Sequence, residues 1–280
     1  MYRMEEQNRV FGCIKSPVDL RDYKPVLAIT GQLPDKFMIE TNNNSVLDQG
    51  SIGSCVAHSL AALLEIEYKD TYSTGWIYGY RPFGYTQGIG MSPREALKTL
   101  QKVGNVPHSN FPENIEMNDA KKLVDQRFNE LKELAGNCKI AAYAKLSGEG
   151  EIKTFLYNNK VPIPIAISTK NMELDNLTNT LMIPNVHTNS SHMIIIIGWN
   201  ETGFIVQNSW GKSWGINGTA TLPYEYKINE AWGITLKQDT QNPAVKKPFF
   251  YFIRELIMKG IQSSKLKKQM KKENRSHGRN

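Results

Sequence analysis

Asp48-Gln49-Gly50-Ser51-Ile52-Gly53-Ser54-Cys55-Val56-Ala57-His58-Ser59-Leu60-Ala61-Ala62-Leu63-Leu64-Glu65-Ile66-Glu67-Tyr68 joins a polar, glycine-bearing loop to a run rich in Ala and Leu. The run contains neither Pro nor Gly, so it reads as a mostly buried helix whose first turn holds Cys55. A cysteine at a helix N-terminus has a physical reason to react. The unpaired N–H groups carry partial positive charge there, which favours the thiolate.

Two later segments give that thiol possible partners. In Ser190-Ser191-His192-Met193-Ile194-Ile195-Ile196-Ile197-Gly198-Trp199 a histidine heads an apolar strand, which would hold it rigidly. In Gln207-Asn208-Ser209-Trp210-Gly211-Lys212-Ser213-Trp214-Gly215 an amide and two indoles share a glycine-rich loop. The Asn208 side-chain carbonyl can accept the ring N–H of His192, fix its tautomer and aim the other nitrogen at Cys55. Trp210 can cover that hydrogen bond from water.

These three blocks, in this order, resemble the active-site blocks of the papain-like cysteine peptidases. His192 lies 137 positions after Cys55 and Asn208 lies 16 after His192, spacings that suit that family. The likeness runs from about Leu33 to Thr235. It implies an α+β fold in two lobes, the helical lobe carrying Cys55 and a β-sheet or barrel lobe carrying His192 and Asn208. It also implies the roles of a thiol protease: Cys55 as nucleophile, His192 as proton carrier, Asn208 as its orienter, and Gln49 as oxyanion donor with the backbone N–H of Cys55. Gly53, Ser54, Ala166, Met193 and Trp210 are implied substrate contacts, with Trp232 near the same pocket. Val56 and Ile52 stand where many members have Trp and Cys. The form Asp48-Gln49-Gly50-Ser51-Ile52-Gly53-Ser54-Cys55, with Asp19-Leu20-Arg21-Asp22-Tyr23 upstream, resembles the bacterial and viral branch more than the lysosomal one. Two alternatives keep the fold and change the outcome: a thiol acyl-transferase or amidase, or an inactive binding protein.

The rest of the chain gives the setting. Pro93 to about Val103, after Ser92 as N-cap with Glu95 three residues on, predicts a helix, as do residues 117–135. Strands are predicted over 140–146, 162–167, 192–199, 203–207 and 219–222. Residues 1–32 read as an extension too short for a helical pro-domain. Residues 33–246 read as the peptidase domain, its helical lobe about 45–136 and its β lobe about 137–235. The remaining segment, 247–280, is aromatic and then basic. Residues 254–280 hold nine Lys and Arg against two Glu, which accounts for the whole net charge of +7. That tail predicts an anionic partner, whether membrane surface, nucleic acid or acidic protein. His58, one turn beyond Cys55, reads as a packed core residue. Cys13, Cys55 and Cys138 form no disulfide framework, and no His or Cys spacing predicts a metal or other cofactor. With no apolar leader at the N-terminus and no membrane-length apolar run, the expected location is cytoplasmic.

Overall fold

The computed structural model of the chain describes residues 9–20, 22, 25, 32–41, 46–80, 90–168, 172–183 and 191–237. The chain divides into two compact units, Met1–Lys237 and Gln238–Asn280. The second, with the basic tail, lies outside the described residues.

The first unit begins with a two-residue strand β1 (Phe37–Met38) and then four helices: α1 (Cys55–Tyr68), α2 (Thr74–Gly79), α3 (Pro93–Lys102) and α4 (Met117–Gly136). Then come β2 (Ile140–Leu146), α5 (Gly148–Asn159), β3 (Ile163–Ser168), β4 (Leu174–Asp175), β5 (Thr180–Leu181), β6 (Ser191–Trp199), β7 (Gly203–Gln207), β8 (Thr219–Pro223) and β9 (Ile228–Leu236). The strands form one sheet in the order β2-β9-β3-β6-β7-β8-β5-β4, with β1 paired to β6. Helices first and sheet second give the α+β, two-lobe architecture that the sequence predicts.

α1 is buried along Cys55–Ile66 because nearly every side chain on its surface is apolar or small. Val56, Leu60, Leu63 and Leu64 join Ile77 of α2, Leu97 and Leu100 of α3, and Met193, Trp232 and Ile234 of the sheet in one core. Each fully buried Leu or Ile there contributes roughly 1.5–3 kcal/mol of transfer free energy. A second cluster, with Trp76, Val106, Phe111, Val124, Leu131 and Ala135, fastens α4 to α2. Ser59 ties helix to sheet directly, its hydroxyl donating to the Met193 carbonyl at 2.8 Å. α1 and β6 are thereby held in fixed register, and with them Cys55 and His192.

Ser92 does stand at the N-cap position of α3, but its hydroxyl caps nothing. It pairs with the Ser16 hydroxyl at 3.1 Å instead, and Glu95 turns to Lys98 at 2.8 Å. The capping box expected from sequence gives way to a contact with the N-terminal segment. None of the described helices is long and apolar enough to cross a membrane.

Candidate active site

Cys55 is the first residue of α1, and Ser54 before it spends its side chain elsewhere, on the Nδ1 of His58 at 3.0 Å. The sulfur of Cys55 is met by backbone N–H groups of Met193, Gly12, Val56 and Cys55 itself. Burial pushes the thiol up from its ordinary range, and these N–H groups act against that rise. The Met193 N–H places the sulfur beside the residue that follows His192.

His192 starts the buried part of β6 and is fully enclosed. Its Nε2 donates to Asn208 Oδ1 at 2.7 Å. The same oxygen accepts the Ser209 backbone N–H at 2.8 Å, which fixes the amide with oxygen toward the ring. An acceptor at Nε2 means that Nε2 carries the proton of the neutral imidazole and Nδ1 is its basic nitrogen. Nδ1 has no hydrogen-bond partner among the described residues. Burial lowers the His192 pKa to about 4, against the bond to Asn208, and the nearby Arg9 charge lowers it further. Trp210 lies over the ring, centroids 5.1 Å apart.

Gln49 is buried and held at both ends of its amide. Its Oε1 accepts the Ser209 hydroxyl at 2.8 Å, so Nε2 is the donor end, and it donates to the carbonyls of Ile52 at 2.8 Å and Val10 at 3.2 Å. Ala166 pairs with Met193 on one side and Glu230 on the other in the sheet. Ala166, Met193 and Trp232 share one apolar cluster with Cys55 and Cys13. Gly53 turns its backbone to Gly12, where an added Cβ would come within 1.8 Å of the Gly53 oxygen. His58, the tempting second histidine, is a packed core residue. Its Nδ1 faces Ser54 and its Nε2 faces Asn114 Oδ1 at 3.1 Å, and burial lowers its pKa to about 4.

The sequence reading does not reach several residues that the structure brings here: Arg9, Phe11 and Gly12 from the N-terminal segment, Asp48 and Ser209 beside Gln49, and Arg94 and Glu230 beside Trp232. Arg9 pairs with Asp48 and lies over the Trp210 ring at 5.7 Å, and Phe11 packs edge-on against His192 at 5.6 Å. Asp48 and Ser209 lie in the quoted blocks; their signal is adjacency to Gln49 and Asn208. The others have no local signal, because their partners lie far away in sequence. No group of three or more His, Cys, Asp or Glu among the described residues could hold a metal. All three cysteines are free.

A helix-borne thiol, a strand-borne histidine and a loop amide, in two lobes of one α+β unit, are the parts of a thiol hydrolase. The papain family cysteine protease model matches residues 89–237, just over half of the chain, and the chain belongs to that family. A peptidase C1-like protein of Acanthamoeba polyphaga mimivirus is 24% identical over 266 residues, covering 80% of this chain and 84% of that protein. The viral cathepsin of Heliothis zea nuclear polyhedrosis virus is 24% identical over 205 residues, covering 67% of this chain and 52% of its own. Among solved structures, xylellain, a cysteine protease from Xylella fastidiosa, superposes with a TM-score of 0.70 at 25% identity, covering 83% of this chain and 98% of that one. The digestive procathepsin L 3 of Tenebrio molitor larvae shares the fold at 17% identity and a TM-score of 0.59, covering 82% of this chain and 76% of its own. The chain is a cysteine peptidase by family.

Proposed function

We propose that this peptidase cleaves internal peptide bonds of polypeptides through a thioester on Cys55. The observation that carries the reading is the hydrogen bond from His192 Nε2 to Asn208, which leaves Nδ1 as the basic nitrogen available to the thiol on α1. His192 takes the Cys55 proton, and the sulfur bonds to the peptide carbonyl carbon. The tetrahedral oxyanion is stabilised by the Gln49 side-chain N–H and the Cys55 backbone N–H. As the C–N bond breaks, His192 gives its proton to the leaving amine. A water then attacks the thioester, His192 accepts the water's proton, and the C–S bond breaks to return Cys55 and a carboxylic acid. Met193, Ala166 and Trp232 wall the apolar pocket next to the reacting bond, with Gly53 and Ser54 offering backbone and Trp210 closing the far side.

The test is Cys55→Ala, whose turnover of an unstructured polypeptide should fall about a millionfold with an unchanged melting temperature. Retained cleavage by that variant would end the assignment of Cys55. The anionic partner of residues 254–280 belongs to the same proposal. Binding to anionic vesicles, nucleic acid or an acidic protein should weaken steeply with salt and vanish when those lysines are neutralised.

A further inference from the structure

Asp48 precedes Gln49 in the loop that leads to α1, and that loop is paired with the loop after Asn208. The Gln49 N–H donates to the Ser209 carbonyl at 3.0 Å, and the Gly211 N–H to the Leu47 carbonyl at 3.0 Å. Asp48 and Trp210 are bridge partners between these two bonds. The carboxylate is therefore held beside the indole that covers His192. Gly211 leaves it room: a Cβ there would stand 3.0 Å from Asp48 Oδ2, at a φ of +75° that suits glycine. The Gly50 N–H donates to Asp48 Oδ1 at 2.9 Å and fixes the orientation of the carboxylate.

A guanidinium occupies this place. Arg9 pairs with Asp48 Oδ1 through Nη1, donates to Oδ2 through Nη2 at 3.4 Å, and donates through Nη1 to the Gly50 carbonyl at 3.2 Å. Its Cζ lies 5.7 Å from the centre of the Trp210 ring. A carboxylate taken two-pronged, a carbonyl and an aromatic face are the contacts that suit a planar cation. Burial raises the Asp48 carboxyl, but the Arg9 contact and the Gly50 N–H outweigh it and hold the group below its ordinary range. The Asp48 side chain is 49% exposed even with Arg9 in place, so an incoming side chain can reach it. Trp210 Nε1 is buried with no hydrogen-bond partner among the described residues, a donor that the backbone of a bound polypeptide can satisfy.

We propose that Asp48, with the Gly50 carbonyl and the Trp210 ring, is a recognition site for a basic side chain of the substrate, arginine before lysine, on the leaving-group side of the cleft. The peptidase then favours bonds that are followed by such a side chain within two residues. This rests on reading the chain as a peptidase with His192 as proton donor to the leaving amine. The side of the cleft follows from that role. Trp210 lies over the His192 ring, so the polypeptide beyond the reacting bond passes over the indole. An extended chain advances about 3.3–3.6 Å per residue, so the side chains that come level with Asp48 belong to the first or second residue after the bond. Arg9 holds the same contacts from within the chain, and a substrate side chain takes its place by exchange. Arginine is preferred because its fork meets both carboxylate oxygens while its flat face lies on the indole, whereas an ammonium makes one contact at a time.

The experiment uses the full chain, wild type against Asp48→Asn and Arg9→Gln, each checked for an intact melting transition. Asn keeps an oxygen for the Gly50 N–H and removes only the charge. A pool of unstructured peptides is digested and the cut bonds are mapped by mass spectrometry. Peptides that carry arginine or its neutral twin citrulline at the first or second position after a cut bond are then compared as a ratio of kcat/KM. Wild type should favour arginine by about tenfold, Asp48→Asn should bring the ratio close to one, and Arg9→Gln, which removes the tethered competitor, should widen it. High salt should narrow the wild-type ratio. The same peptides are titrated against Cys55→Ala protein, with and without Asp48→Asn, so that binding is read without turnover. Equal handling of arginine and citrulline by wild type and Arg9→Gln would overturn the site, and so would a preference that survives in Asp48→Asn. A binding preference that Asp48→Asn abolishes, with no hydrolysis of any peptide, would keep the site and sink the peptidase reading. Ready hydrolysis with no preference would do the reverse.

Discussion

His192 and Asn208 are joined by a single 2.7 Å hydrogen bond, from ring Nε2 to amide Oδ1, and the Ser209 N–H holds that same oxygen in place at 2.8 Å. The amide thus cannot turn without losing a backbone partner. The histidine is confined to one tautomer, with Nδ1 unprotonated, although no charge lies on the orienting group. Removing the amide frees the ring to rotate and to exchange tautomers without disturbing the thiol. General acid–base catalysis is worth about a hundredfold to ten-thousandfold, and part of it depends on this aim.

Asn208→Ala should therefore lower kcat by roughly ten- to a hundredfold with little change in KM, because the loss falls on a proton-transfer step. The measurement is steady-state hydrolysis of an unstructured polypeptide. A histidine titration by NMR should show both ring tautomers in the variant. An unaltered kcat would mean that Trp210 and Phe11 alone hold the ring.

Gln49 is the proposed oxyanion donor, and its Nε2 also donates to the Val10 carbonyl at 3.2 Å. Gln49→Ala should cut kcat by about a hundredfold to a thousandfold, because one oxyanion donor is lost. Steady-state hydrolysis of an unstructured polypeptide measures it, and a variant that turns over like its parent would remove Gln49 from the site.

The reach of the sequence follows from where each residue finds its partners. α1 was legible to the residue, Cys55–Tyr68, because its Ala and Leu run sits between a glycine loop and the polar Lys69-Asp70. The strands 140–146 and 203–207 were legible from local pattern, and the strand 219–222 and helix 117–135 each stop one residue short of the observed Thr219–Pro223 and Met117–Gly136. α5 escaped notice because Gly148 and Gly150 in its first turn weaken helix propensity. β9 escaped because Asn229, Glu230 and Gly233 break a strand pattern. Gly233 is there because the Phe155 ring occupies the space a Cβ would need, 2.6 Å away. At the site, Gln49, Cys55, His192 and Asn208 each sit in a recognisable block. Residues 10–16 do not, since their bonds span 39 residues to Gln49 and 214 to Glu230. Ser92 shows the same limit: its local context reads as a cap, and its actual partner is Ser16, 76 residues away.

Stability should depend on pH through a carboxyl inside α1. Glu65 is buried, and its pKa is raised to about 7 by burial, against the Tyr72 N–H and with the Glu113 and Asp70 charges adding to the rise. A folded pKa above the ordinary 4.5 means that the stability it confers is complete below pH 4.5 and is lost as pH rises through 7. Glu67 is raised to about 7 by burial as well. The wild-type melting temperature should therefore drop between pH 5 and pH 8. Glu65→Gln, which keeps the oxygen that accepts the Tyr72 N–H at 3.1 Å, should shrink that drop by about 2–4 °C while leaving the Glu67 share. The same drop in variant and wild type would show that Glu65 ionises freely.

Ser59 connects the two catalytic elements without touching substrate. Its hydroxyl donates to the carbonyl of Met193 at 2.8 Å, and the N–H of that same residue points at the Cys55 sulfur. One residue of β6 and one turn of α1 are therefore pinned together four residues from the thiol. Ser59→Ala removes one buried hydrogen bond, which costs folding about 1 kcal/mol. Its cost to turnover should be larger in proportion, because reacting groups tolerate little displacement. Ser59→Ala should lower kcat by about tenfold, read by steady-state hydrolysis of an unstructured polypeptide. The decisive comparison is the pH dependence of kcat/KM. A positioning role predicts that its limbs shift as the spacing of Cys55 and His192 changes. A purely structural role predicts a lower melting temperature with an unshifted profile and an unchanged kcat, and that outcome would confine Ser59 to the core.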